Sequence, residues 1–178
     1  ERLAELDGAT ADTVQISTMG GPIRIKEAPE GAQLHTMGGD IRVAEAERFV
    51  KATTMGGDIF LDSVDGWIDA TTYGGDIQAA VSGQGGDVTL VSMSGDITLH
   101  VPPGFGMDLE LEIGFTRNSS QQYRIETDFG LKQSVTPEWD HDHGTPRKYI
   151  RSTGTARGGG SRVKIETING NIKVISGK

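Results

Sequence analysis

Apolar and polar residues alternate in short runs along this chain, and the runs return at a fixed interval. Val14, Ile16, Ile23 and Ile25 are matched by Ala32, Leu34, Ile41 and Val43, and again by Val50, Ala52, Ile59 and Leu61. Such alternation is strand periodicity, because successive side chains of an extended chain point to opposite faces. The two runs of each unit are joined by Met19-Gly20-Gly21-Pro22-Ile23, Met37-Gly38-Gly39-Asp40-Ile41, Met55-Gly56-Gly57-Asp58-Ile59 and Tyr73-Gly74-Gly75-Asp76-Ile77. The second glycines recur every 18 residues. A fifth copy, Met93-Ser94-Gly95-Asp96-Ile97, comes after 20, so that unit holds two extra residues near Gly83-Gln84-Gly85-Gly86.

Other columns keep the same register. A hydroxyl column reads Thr18, Thr36, Thr54, Thr72 and Ser92, and the pattern returns late as Val163, Ile165, Thr167, Ile168, Gly170, Asn171, Ile172 and Val174. One such unit cannot bury its apolar face alone, but copies stacked ~4.8 Å apart can. The sequence therefore predicts an all-β fold, a single-stranded β-helix or β-solenoid with about 18 residues per coil and six or more coils. The general crossover preference favours the right-handed form. It is read as one domain over 1–178, with repeats at 13–113 and 161–175 and an inserted flap at about 114–160. An antiparallel sandwich is the competing architecture, but it has no reason to keep one period through four copies.

Glycine makes up 26 of the 178 residues without a Gly-X-Y period, which means many tight corners. Gly21, Gly39, Gly57, Gly75 and Gly95 are assigned as structural turns, and Gly39, Gly57 and Gly75 are expected to include positive φ. The net charge of −8 is uneven: residues 1–100 hold 16 acidic and 6 basic side chains, the remainder 9 and 11. An acidic body counts against nucleic acid or anionic lipid as partner. No cysteine is present, which excludes disulfides, thiolate metal sites and a cysteine nucleophile. No run approaches the ~18 apolar residues of a membrane span. The start at Glu1 reads as a mature form or an excised domain.

Three features could carry chemistry. The column Asp40, Asp58, Asp76 and Asp96 resembles a weak cation ladder, though aspartate after Gly-Gly commonly accepts a backbone N–H at a corner. Trp67, Tyr73 and Trp139 are the candidate ligand surface. Asp140-His141-Asp142-His143 puts four potential ligands in one loop. Adjacent residues of an extended chain point opposite ways, however, so a solvated loop is the expectation, with no metal and no cofactor. No nucleophile elbow or Ser–His–acid pattern supports hydrolysis, and the chain is read as not an enzyme. A carbohydrate-active enzyme would have its best case in Asp62 and Asp69 beside Trp67, with Arg147 or Lys148.

The repeated Gly-Gly-Asp-Ile and the closing Gly159-Gly160-Ser161-Arg162-Val163-Lys164-Ile165-Glu166-Thr167-Ile168-Asn169-Gly170-Asn171-Ile172 resemble the bacterial putative-adhesin family of β-strand-repeat proteins, related to toast-rack domains of envelope-stress proteins. That resemblance implies a β-solenoid, a cell-envelope or extracytoplasmic setting, and no catalytic residues. The expected function is a non-enzymatic binding or scaffolding module using its lateral surface toward a protein or polysaccharide ligand. An extracytoplasmic sensor domain of an envelope-stress protein is a further alternative.

Overall fold

The computed structural model describes residues 4–6, 12–83, 85–119, 122–142 and 144–177. Every regular element among them is a strand, and all belong to one strongly curled, mostly parallel sheet. In chain order they are β1 (Ala4–Leu6), β2 (Val14–Thr18), β3 (Ile23–Ala28), β4 (Ala32–Thr36), β5 (Ile41–Thr54), β6 (Ile59–Thr72), β7 (Ile77–Val81) and β8 (Val88–Ser92). Then follow β9 (Ile97–Val101), β10 (Met107–Thr116), β11 (Ile125–Thr127), β12 (Lys132–Val135), β13 (Arg147–Ala156), β14 (Ser161–Ile168) and β15 (Ile172–Ser176).

The strands form two columns, and β5 and β6 contribute to both. They turn mid-length near Arg48 (φ 67°) and Gly66 (φ 143°). One column runs β2, β4, the second halves of β5 and β6, β8, β14 and β10, all parallel. The other runs β1, β3, the first halves of β5 and β6, β7, β9, β15 and β11, also parallel. Like pairs with like: Ile23, Ile41, Ile59, Ile77, Ile97 and Ile172 are successive partners, each at most 1% exposed. Both columns feed one apolar cluster, so each rung buries its neighbour's inner face.

The corner between the columns departs from the expectation of positive φ. Gly21 alone of the five second glycines has it (φ 95°); Gly39, Gly57, Gly75 and Gly95 do not. Close approach is the reason instead. A methyl carbon on Gly39, Gly57, Gly75 or Gly95 would lie 2.1, 2.3, 2.3 or 2.2 Å from the carbonyl oxygen of the glycine one rung earlier. The first glycine meets no such barrier, since Gly38 has open space and Gly56 has only Gly38 Cα at 4.0 Å.

The hydroxyl column locks this corner. Thr54 Oγ1 donates to the Gly39 carbonyl at 2.9 Å, and Thr72 Oγ1 to Gly57 at 2.8 Å. Ser92 and Thr167 repeat the bond to Gly75 and Gly95 at 2.9 and 2.6 Å. The oxygens of Thr36, Thr54 and Thr72 also accept from their own corners, Thr54 from the N–H of Gly57 at 3.2 Å. A buried hydroxyl is thus satisfied on both sides, which removes the cost of burying it.

The largest difference from the sequence reading lies after Val101. The segment from about 114, read as an inserted flap, still contributes to the stack: β10 runs on to Thr116, and β11 (Ile125–Thr127) completes a further rung with it. The chain reaches that rung first, and its C-terminal segment then slots in between: β14 pairs with both β8 and β10, and β15 with both β9 and β11. Between β13 and β14 the chain crosses over β10, using four successive positive-φ residues, Arg157 and Gly158 to Gly160. The antiparallel strands β13 and β12 then close the exposed edge of β10, which blunts it against further pairing.

Two outcomes follow. Gly57→Ala should destabilise the protein by about 1–3 kcal/mol through forced separation of rungs, whereas Gly56→Ala should fall within about 0.5 kcal/mol of the parent. Equal melting temperatures for the two would refute the close-approach account. Removing residues 161–177 leaves β8 and β9 facing β10 and β11 across an empty slot. Cooperative melting should be lost, and a synthetic 161–177 peptide should restore it; a truncated chain that melts like the parent would show the slot is not needed.

Candidate functional site

The repeat turns each sequence column into a straight line of side chains on the outer surface. At the glycine corner the residue two places before the second glycine points out. Met19, Met37, Met55, Tyr73 and Met93 are 81, 42, 46, 51 and 40% exposed, and the half-buried Ile168 continues the line. Trp67 and Val135 are the other large apolar side chains that stand exposed among the described residues.

On the far side of the same corner runs the aspartate column. Its role is structural in part: the N–H of Asp58 donates to Asp40 Oδ1 at 2.9 Å, Asp76 to Asp58 at 2.8 Å, and Asp96 to Asp76 at 2.8 Å. Asn171 ends the series, its N–H donating to Asp96 Oδ1 at 2.7 Å while its own Oδ1 accepts from Arg124. An amide side chain can therefore hold this position as well as a carboxylate. Asp40, Asp76 and Asp96 remain exposed and Asp58 half-exposed, so a line of negative charge borders the methionines.

The aromatic residues Trp67, Tyr73 and Trp139 do not converge. Trp67 and Tyr73 sit at opposite ends of one extended run, about 20 Å apart at ~3.3 Å per residue. Trp67 stacks on Phe49 (centroids 4.7 Å, 11°) at the second corner, and Phe49 in turn lies over Gly31, where a Cβ would be 2.4 Å from its ring. Trp139 belongs to the 136–146 loop, edge-on to Phe115 with the Lys148 ammonium 5.2 Å from its ring centre. The grouping of Asp62 and Asp69 with Arg147 or Lys148 is not assembled either. Asp62 pairs with Arg42 at 2.9 Å and Asp69 with Lys51 at 3.7 Å, and β8, β14 and β10 separate Asp69 from β13.

What sequence reasoning missed is a polar cluster on the closing hairpin. Arg151 binds Glu112 across β10 and β13, and its guanidinium lies 5.2 Å from the Tyr149 ring centre. Tyr149 donates its hydroxyl to Asp140 Oδ2 at 3.2 Å, and Asp140 Oδ1 accepts the N–H of Asp142 at 2.9 Å. Thr136, Pro137, Glu138 and Trp139 line an open cleft of 460 Å³ together with Asp140, Tyr149 and Arg151. A smaller groove, 160 Å³, lined by Met93, Ile168, Glu112, Glu166, Arg147 and Tyr149 joins this cluster to the apolar line. The signal for it was a pairing between β10 and β13 that no repeat announces. Of the Asp-His-Asp-His loop, His141 is exposed and His143 lies outside the described residues. Among the described residues no three His, Asp or Glu side chains are placed to share one ion.

A family model described as Toastrack DUF4097 matches residues 3–175. No curated protein and no solved structure matches the chain. Among the described residues no helix is long and apolar enough to cross a membrane.

Burial first, and then the bond and charge of Asp140, hold the Tyr149 phenol above its ordinary value of 10.0. A group whose pKa is raised by folding contributes stability below its unfolded pKa and loses it as pH rises through the folded one. The melting temperature should therefore fall as pH climbs beyond about 10, and less steeply in Tyr149→Phe. Asp140→Asn should return the Tyr149 absorbance titration toward the ordinary value; an unmoved titration would disprove the coupling.

Proposed function

The chain belongs to the Toastrack DUF4097 family, and we propose that it is a non-enzymatic binding or scaffolding module whose working part is the outer corner of its stack. In this reading it is a right-handed β-solenoid of about 18 residues per coil, set at the cell envelope and adhesin-like in presenting a long rigid flank. One observation carries the proposal: five large apolar side chains stand exposed in a single line. A contiguous exposed apolar strip marks an interaction surface more often than chance exposure does. The strip costs little entropy to order, because the Gly-Gly corner that presents each residue is held by hydrogen bonds to the rungs on either side. The envelope setting rests on the likeness to toast-rack domains of envelope-stress proteins.

Photo-crosslinking in cells tests this reading directly. A photoreactive residue at Met55 should give a discrete adduct that the same residue at Gln33 or Lys51, on the neighbouring face, does not. The purified protein should meanwhile release no reducing ends from acidic polysaccharides. Indiscriminate adducts at all three positions, or sugar turnover, would sink the reading.

A further inference from the structure

We infer that the corner is a docking track for a basic amphipathic helix of a partner protein, a deeper reading that rests on the binding role proposed above. The spacing selects a helix. Met19 to Met93 spans four rung steps of ~4.8 Å, about 19 Å. A helix laid along it presents one apolar side chain per turn of ~5.4 Å and covers that length in about 13 residues. The mismatch of roughly 0.6 Å per turn sums to about 2 Å along the track, within the reach of flexible methionine side chains. An extended peptide would present same-face residues every ~6.6 Å and fall out of step by about 2 Å at each rung.

Charge selects the sign and side of the helix. Asp40, Asp58, Asp76 and Asp96 run beside the track three residues beyond Met37, Met55, Tyr73 and Met93, with Pro22 in that place beside Met19, and the rung bonds occupy their Oδ1 atoms. The opposite flank carries the uncharged or basic Ser17, His35, Thr53, Thr71 and Val91 over the same rungs, and the acids that continue that column, Glu166 and Glu112, are paired with Lys164 and Arg151. The matching helix therefore has an apolar stripe bordered by Lys or Arg on one side only. Met-lined grooves suit such a partner because thioethers repack around varied apolar shapes. An anionic membrane is disfavoured by the same aspartates.

The test uses a designed Leu/Lys helix of about 16 residues, with its lysines on one flank. Anisotropy should show binding that weakens with salt, and circular dichroism a gain in helix on mixing. Replacing Met37, Met55 and Tyr73 together by Ser should weaken binding at least tenfold. Asp40→Asn, Asp58→Asn and Asp76→Asn together should do the same and flatten the salt dependence. Asn171 shows that an amide keeps the rung bond, so this variant should melt like the parent; should it not, the salt dependence of the parent alone decides the charge term. A scrambled peptide of equal charge that binds as tightly, undiminished binding by either triple variant, or stronger binding to phosphatidylglycerol vesicles through the same methionines would each overturn the proposal. If the peptide fails while the Met55 crosslink persists, the partner class falls and the binding role stands; if both fail, both fall.

Discussion

Everything in this molecule depends on how closely one rung can approach the next at the glycine corner. The main-chain ladder fixes that distance at ~4.8 Å along the strands, but a corner is where a stack can splay. Here the carbonyl of each second glycine faces the second glycine of the next rung at a distance that excludes a Cβ. The threonine of that next rung donates its hydroxyl to the same carbonyl. Threonine and glycine are thus two halves of one contact, one supplying the space and the other the bond. The isoleucine ladder supplies bulk burial, yet it stays in line because the corner beside it cannot open.

This explains which parts were legible in the sequence. The isoleucine and hydroxyl columns stack like on like, so a fixed interval between identical residues already names the partners. The corner glycines were equally visible, but a glycine column looks the same whether it answers a positive φ or a crowded backbone. Only the carbonyl of the neighbouring rung distinguishes them. The late part of the fold was hidden for a different reason. The alternation of Met107 to Ile113 marks a strand, but its parallel partner begins at Ser161, beyond an intervening hairpin. Once spatial order departs from chain order, periodicity stops predicting neighbours.

That departure has a physical consequence. The rung of β14 and β15 has a parallel partner on both faces, so the end of the chain lies inside the stack. Pairing across more than 70 residues closes a long loop, which is slow to form though only modestly costly at equilibrium. The β10 side of the last rung is meanwhile covered by an antiparallel hairpin rather than by another parallel strand. A parallel stack offers an open template to further copies, and a hairpin with Arg151 bound to Glu112 removes that invitation. The same hairpin gathers Trp139, Asp140 and Tyr149, whose positions in sequence gave no sign that they meet.

Function follows from the same geometry by a short argument. A stack in strict register copies each surface residue type into a line, so a choice made once per repeat becomes a feature about 19 Å long over five rungs. Most such lines here are polar and change character from rung to rung: Gln15, Gln33, Lys51 and Asp69 share a column without sharing chemistry. Folding asks nothing of an outward residue beyond solubility, so that variety is what an unused face looks like. The methionine line is the opposite case. It keeps large apolar side chains exposed through five rungs where water gives them no reward, and it does so beside a line of four aspartates. A face that stays uniform against the interest of solubility is the observation on which the proposed binding role rests.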